Sequence, residues 1–243
     1  MTGPQENSHH RTPRLTRAGI GVVVGTSLAP LIEGALLFPA AGTTALPRAW
    51  LFLVLSFVGI FGQIVLVAAV NPELVNRRGQ WKKRKDTKPW DKALLITYGL
   101  LAFYVLPIVI GLDVGRYHWS SLGTWSALLG TLLFAFGTVV ITSAMLVNTH
   151  FETTVRIQHD RDHKVVTAGP YAVVRHPGYV GAGLWALSTP LIVGSAFGLI
   201  PAALAMLTLA ARTCREDDML HRELTGYADY AARVRYRLIP GLW

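Results

Sequence analysis

Charge is scarce in this 243-residue chain: only 15% of residues are Asp, Glu, Lys or Arg, against about 25% in a soluble domain. Acids are the scarcer sign, 14 against 23 Lys and Arg, leaving a formal net charge of +9. One cysteine, Cys214, excludes a disulfide scaffold. No glycine-rich dinucleotide fingerprint follows a strand, which argues against a Rossmann domain. The hydrophobic share of 51% argues against disorder. A basic excess alone would suggest nucleic acid. Together with the apolar excess it points to a membrane.

Four runs reach the roughly 20 apolar residues that a bilayer-crossing helix needs: 18–39, 49–70, 93–112 and 122–147. A fifth stretch, 179–211, has no charged residue and is too long for one helix. Pro190, Gly194 and Ser195 offer a break, which predicts a hairpin of two short helices, 179–194 and 196–211, the second running on into a polar extension. The first run exceeds the roughly 7–15 residue core of a signal peptide, so it reads as a span. The expected fold is all-α: a polytopic membrane bundle of about six helices, the last two forming the hairpin. Residues 1–17 read as a disordered tail, 18–147 as four spans and 148–243 as the functional region.

Basic residues sort by side. The tail, 71–92, 148–178 and 212–243 hold 3, 8, 4 and 6, or 21 of the 23. The alternate segments hold only Arg48 and Arg116. The positive-inside rule then places both termini in the cytoplasm. The loop 77–92, with Trp81 and Trp90, reads as a topology signal or a lipid-headgroup contact, not as a nucleic-acid site. Within the spans the only charge is Glu33, read as hydrogen-bonded to a neighbouring helix or protonated. Pro107 predicts a kink.

Polar residues with chemical capacity concentrate in 148–179 and 212–243, which flank the hairpin. In Gln158-His159-Asp160-Arg161-Asp162-His163 a metal reading is weak, because Arg161 would repel a cation; a polar loop contacting a small ligand is the better reading. Gly169-Pro170-Tyr171 and Arg175-His176-Pro177-Gly178-Tyr179 form two proline turns. Pro177 suits the first turn of a helix. Unpaired backbone N–H groups there could take a carboxylate, or Arg175 could simply snorkel to headgroups. Arg212 and Glu216 are four apart and share a helix face, with Asp217 beside them.

Taken together, Gly169–Tyr179, Arg212…Glu216-Asp217…Leu220 and Gly226-Tyr227…Tyr230…Val234 resemble the isoprenylcysteine carboxyl methyltransferase family. Phospholipid N-methyltransferases are more distant relatives. The resemblance covers 148–243. It implies an S-adenosylmethionine-dependent membrane methyltransferase with a cytoplasmic C-terminal cofactor pocket. It implies cofactor contacts from Gln158, His163, Lys164, Val165, Val166, Tyr171, His176, Pro177, Gly178, Tyr179 and Glu216. Arg212 would orient the acceptor, through a bidentate contact if the acceptor is a carboxylate. The expected partners are a lipophilic or lipidated substrate and membrane lipid, with no nucleic acid and no metal. The competing expectations are phospholipid N-methylation, an NADPH-dependent sterol-reductase-like enzyme, and a non-enzymatic membrane protein.

Overall fold

The computed structural model describes residues 14–84 and 86–243, and among them every regular element is helical. Helix α1 (Arg17–Ala41) starts at Thr16, whose hydroxyl accepts the Gly19 N–H, and stops at Gly42 in the left-handed region. Helix α2 (Pro47–Val70) opens on a proline and leads through Asn71 into short α3 (Pro72–Arg78). The Asn71 side chain caps α3 through Leu74 N–H. Helices α4 (Pro89–Tyr117) and α5 (Thr124–Val147) complete a set of four that are long and apolar enough to cross a membrane. Leu31, Val58, Leu128 and Leu207 are between 63% and 65% exposed, an outer surface suited to lipid rather than water.

The chain answers Pro107 with widened turns rather than a break. Proline has no N–H to donate, and π-helical turns run over Leu101–Val105 just before it and over Leu112–Tyr117 beyond it. The expected tail falls mainly on residues 1–13, which lie outside the described residues. Its end is held by Asn76 of α3, which accepts from Thr16 N–H at 2.8 Å and donates to Arg14 O at 3.1 Å.

The 179–211 stretch becomes α6 (Pro177–Val193) and the start of α7 (Leu199–Glu223). The turn lies at Gly194, φ 99°, while Pro190 stays inside α6. Helix α6 starts two residues before the apolar run, and α7 continues for three polar turns past residue 211, the polar extension expected of the second helix. Helices α5 and α6 make the most extensive contact in the molecule. Their backbones approach through glycine: a Cβ on Gly181 would lie 2.7 Å from Gly137 O. A last short helix, α8 (Tyr227–Arg233), folds back on α7.

The two ends of the bundle differ. At one end α3, the 81–88 loop, the 148–176 segment and the end of α7 are cross-tied by Arg156–Asp86, Arg84–Glu152 and Lys88–Glu223. At the other, Arg48 donates to the carbonyls of Leu122, Leu191 and Ile192, each at 2.7 Å. Arg116 does the same for Pro39 and Ala40 at 2.8 Å. The two basic residues outside the main group thus satisfy backbone carbonyls at helix ends and turns.

Candidate active site at the basic end of the bundle

The segment between α5 and α6 has little regular structure, so side chains hold it. Asn148, closing α5, donates to the Tyr171 hydroxyl at 2.8 Å and accepts His150 N–H at 2.8 Å. Tyr171 O accepts from Tyr230 OH at 2.7 Å. Gln158 is buried and donates to His150 O at 2.8 Å. The rings of His150 and His163 lie 4.5 Å apart. Burial, followed by the nearby positive groups of His150, Arg156 and Arg161, brings His163 down to about 4. His163 is therefore neutral at neutral pH. Its Nδ1 accepts Gln158 N–H at 3.4 Å, which assigns the ring proton to Nε2.

The Arg175–Tyr179 turn is locked from below by Asp217, which is fully buried. Arg175 forks onto both its oxygens at 2.8 and 2.9 Å. Tyr227 OH donates at 2.7 Å, Arg237 at 2.8 Å, and His176 Nε2 lies at 3.1 Å. Burial opposes ionisation of Asp217, but the hydrogen bonds from His176, Arg175, Arg237 and Tyr227 outweigh it and hold the carboxyl far below its ordinary range. Arg175 thus does not snorkel to headgroups. Nor does the turn offer a full set of free N–H groups, since His176 O accepts Tyr179 and Val180 N–H at 3.0 and 3.3 Å. Pro177 is the first residue of α6. Gly178 lets the Phe151 ring lie where a Cβ would clash, at 2.4 Å.

Arg212 and Glu216 share a face of α7 but do not pair with each other. Glu216 accepts the Tyr179 hydroxyl. Arg212 lies 5.2 Å over the Tyr179 ring. Its Nε donates to Asp91 at 2.6 Å and its Nη2 to Thr153 O at 2.9 Å. Among the described residues Nη1 has no hydrogen-bond partner. Asp91 occupies Nε and Thr153 O one Nη2 hydrogen, so a bidentate contact with a substrate carboxylate would fall to the Nη1–Nη2 end, where Nη1 is unpaired among the described residues.

These elements enclose a cavity of about 280 Å3. Gln158, His163, Lys164, Val165, Val166, Tyr171, His176, Gly178, Tyr179, Arg212 and Glu216 all border it; Pro177 does not. Lys164 borders it with its side chain turned outward, 77% exposed and 2.8 Å from Asp162. Sequence reasoning missed Asp91, His150, Glu152 and Arg156. Asp91 also accepts Val155 N–H at 2.8 Å. Arg156 forks onto Glu152 and reaches Asp86 and Asp160, each at 2.9 Å. The signals were an acid in the first turn of a helix after Pro89 and a Glu-x-x-x-Arg spacing. Among the described residues no group of three His, Cys, Asp or Glu is placed to hold a metal.

The donor set fits a nucleoside bearing a cationic centre. One end of the cavity offers amide, imidazole and backbone partners from Asn148, His150, Gln158 and His163. The acid Glu216 faces it beside aromatic rings. The remaining wall is apolar, from Leu95, Phe103, Ile141, Trp185 and Leu209 on α4 to α7. Fold and site thus define an all-helical integral membrane protein with a ligand cavity at the basic end of its bundle.

Residues 125–225 match the family model described as phospholipid methyltransferase. The chain is 28% identical over 114 residues to a protein-S-isoprenylcysteine O-methyltransferase of Xenopus laevis, covering 46% of this chain and 40% of that protein. It is 27% identical over 151 residues to protein-S-isoprenylcysteine O-methyltransferase B of Arabidopsis thaliana, covering 61% and 72%. A solved structure of the eukaryotic intramembrane Ras methyltransferase superposes over 92% of this chain with 17% identity and a TM-score of 0.48. The chain spans less than half the length of the Xenopus relative. The matched relatives are named as protein-S-isoprenylcysteine O-methyltransferases, and the matched family model is described as phospholipid methyltransferase.

Proposed function

We propose that this chain is an S-adenosylmethionine-dependent integral membrane methyltransferase whose acceptor is the carboxylate of a lipophilic, isoprenylcysteine-type molecule. The observation that carries the reading is one cavity bordered both by the motif residues and by the apolar sides of the membrane helices, with Arg212 inside it. The curated relatives, named as protein-S-isoprenylcysteine O-methyltransferases, support it. We read six passes with both termini cytoplasmic. The sorting of 21 of 23 basic residues supports that orientation, as does the gathering of 71–92, 148–176 and 212–237 at one end.

Gln158, His163, Val165, Val166, Tyr171, His176, Gly178 and Glu216 would hold the cofactor. When bound, S-adenosylmethionine supplies an activated sulfonium methyl to an in-line nucleophile. A carboxylate needs no deprotonation to attack, so the protein's work is positioning and water exclusion. Arg212 Nη1 orients the acceptor carboxylate, while Asp91 and Thr153 O fix the guanidinium. Glu216 places negative charge where a cationic ligand would sit, held by Tyr179. Phe103, Trp185 and Leu209 admit a lipid tail and exclude water.

Phospholipid N-methylation is the second reading, favoured by the description of the matching family. An amine acceptor must lose a proton, and Arg212 beside it would repel its cationic form. The test uses purified protein in nanodiscs. Calorimetric titration should give binding of S-adenosylmethionine and none of NADPH. Labelled methyl should pass to an S-farnesylcysteine derivative with a free carboxylate and not to its amide. Absence of cofactor binding, or transfer to phosphatidylethanolamine instead, would overturn the proposal.

A further inference from the structure

A second, smaller cavity of about 30 Å3 lies inside the helical bundle, bordered by Glu33 of α1 and Ser56 of α2. Tyr98, Phe103 and Trp185 border both cavities, so a single layer of side chains separates the two. Two of these are fixed: Tyr98 OH donates to Ala182 O at 3.1 Å, and Trp185 Nε1 to Thr138 Oγ1 at 3.0 Å. Phe103 has no polar tether, only an edge contact with Tyr98.

Glu33 is 7% exposed and Ser56 1% exposed, yet neither has a hydrogen-bond partner among the described residues. The expected partner on a neighbouring helix is absent there. A buried carboxyl without a partner is costly. Both groups border the space rather than packed apolar side chains. Apolar enclosure with two convergent polar groups is the usual character of a ligand site. A water needs roughly 10–15 Å3 of such volume, so the chamber takes one small polar group and no bulky one.

We infer that Glu33 and Ser56 form a subsite for a neutral hydrogen-bonding group, of the hydroxyl class, at the distal end of the acceptor's lipid tail. The acceptor's head lies at Arg212 and its tail passes Phe103. The inference rests on the methyltransferase reading for which molecule is the acceptor, but the subsite itself is a binding property. A fully apolar tail would leave Glu33 unsatisfied; a terminal hydroxyl would satisfy it and Ser56 together.

The test measures equilibrium binding of labelled fatty acids of graded chain length, with and without a terminal hydroxyl, to the full chain in nanodiscs. At one chain length the hydroxylated acid should bind about five- to tenfold more tightly, the worth of one or two net hydrogen bonds. Glu33→Leu should abolish the preference, Glu33→Gln should keep it, and Ser56→Ala should reduce it. The last two carry the test if Glu33→Leu does not fold. Equal affinities at every length, a preference surviving in Glu33→Leu, or no binding of either acid would overturn the subsite. Methyl transfer to an S-farnesylcysteine derivative is read in parallel: a hydroxyl preference without that transfer sinks the methyltransferase reading and leaves the subsite standing. Transfer without preference does the reverse.

Discussion

Asp91→Asn is the substitution that most sharply separates the parts of the site. Asp91 is fully buried and its partner Arg212 has a side chain only 9% exposed. Deleting one member of such a pair costs about 3–5 kcal/mol, mostly as an uncompensated buried charge. Asparagine keeps the shape and one carbonyl oxygen. It can serve either Arg212 or Val155 N–H, but not both with a full charge. The loss is then one charge-assisted hydrogen bond, about 1.5–3 kcal/mol. Because Asp91 touches the guanidinium and does not border the cavity, the loss should fall on acceptor positioning. Expected is a roughly 10- to 100-fold fall in kcat/KM for the acceptor. The dissociation constant for S-adenosylmethionine should change less than about threefold. The assay is methyl transfer to a prenylated cysteine, with calorimetry for the cofactor. Arg212→Met completes a double-mutant cycle, and Asp91→Asn should add little on that background. An equal loss of cofactor affinity, or additive effects in the cycle, would refute the assignment of Asp91 as a positioning residue acting through Arg212.

Three further outcomes follow from the same geometry. The folded carboxyl of Asp217 titrates below its unfolded value of about 4, so its contribution is full above that value and lost as pH falls beneath it. Asp217→Asn should lower the melting temperature at neutral pH and flatten the acid-side decline below about pH 4 in thermal scans. Gly181→Val should fail to insert as a folded protein, or lose at least about 1–3 kcal/mol, because its Cβ would sit 2.7 Å from Gly137 O; size-exclusion recovery reports this. Lys164→Ala should leave cofactor affinity within about twofold in the same titration, because the side chain is solvent-exposed despite lying in the resembling motif.

The four long helices were legible because a span of apolar residues is a one-dimensional signal. The apolar runs 18–39, 49–70 and 93–112 fall within α1, α2 and α4, and 122–147 starts two residues before α5 and ends with it. The turn at Gly194 was legible for a local reason, a residue free to adopt positive φ. The bracing of the site was not. Asp91 lies 121 residues from Arg212, and no local pattern states that α4 begins beneath the end of α7. Asp217 looked like half of an acidic pair with Glu216. Adjacent residues on a helix point about 100° apart, so one acid borders the cavity and the other is buried under Arg175. The ladder from Asp86 through Arg156 to Glu152 joins two segments with no helical or strand period, where periodicity carries no information.

The acids also decide which of the charges at this end remains for a ligand. Among the arginines gathered here, Arg78, Arg156, Arg175 and Arg212 border the cavity and Arg84 and Arg237 stand behind it; Arg78 has no acid partner among the described residues and donates to Phe151 O at 3.1 Å. Asp217 takes Arg175 and Arg237, Asp91 takes Arg212, and Glu152 takes Arg156 and Arg84. Only Glu152 and Glu216 among the acids border the cavity, and Glu152 is already neutralised. Among the described residues Glu216 forms no ion pair with lysine or arginine. Its hydrogen-bond donor is a phenol, which fixes the carboxylate without cancelling its charge. In a cavity otherwise ringed by cations, one uncompensated carboxylate attracts a positively charged ligand, while Arg212 Nη1 attracts a negatively charged one. A cationic methyl donor and an anionic acceptor are the pair of ligands that this separation of charge suits. A pair of anions, such as a dinucleotide phosphate with a fatty acid, would meet Glu216 with repulsion.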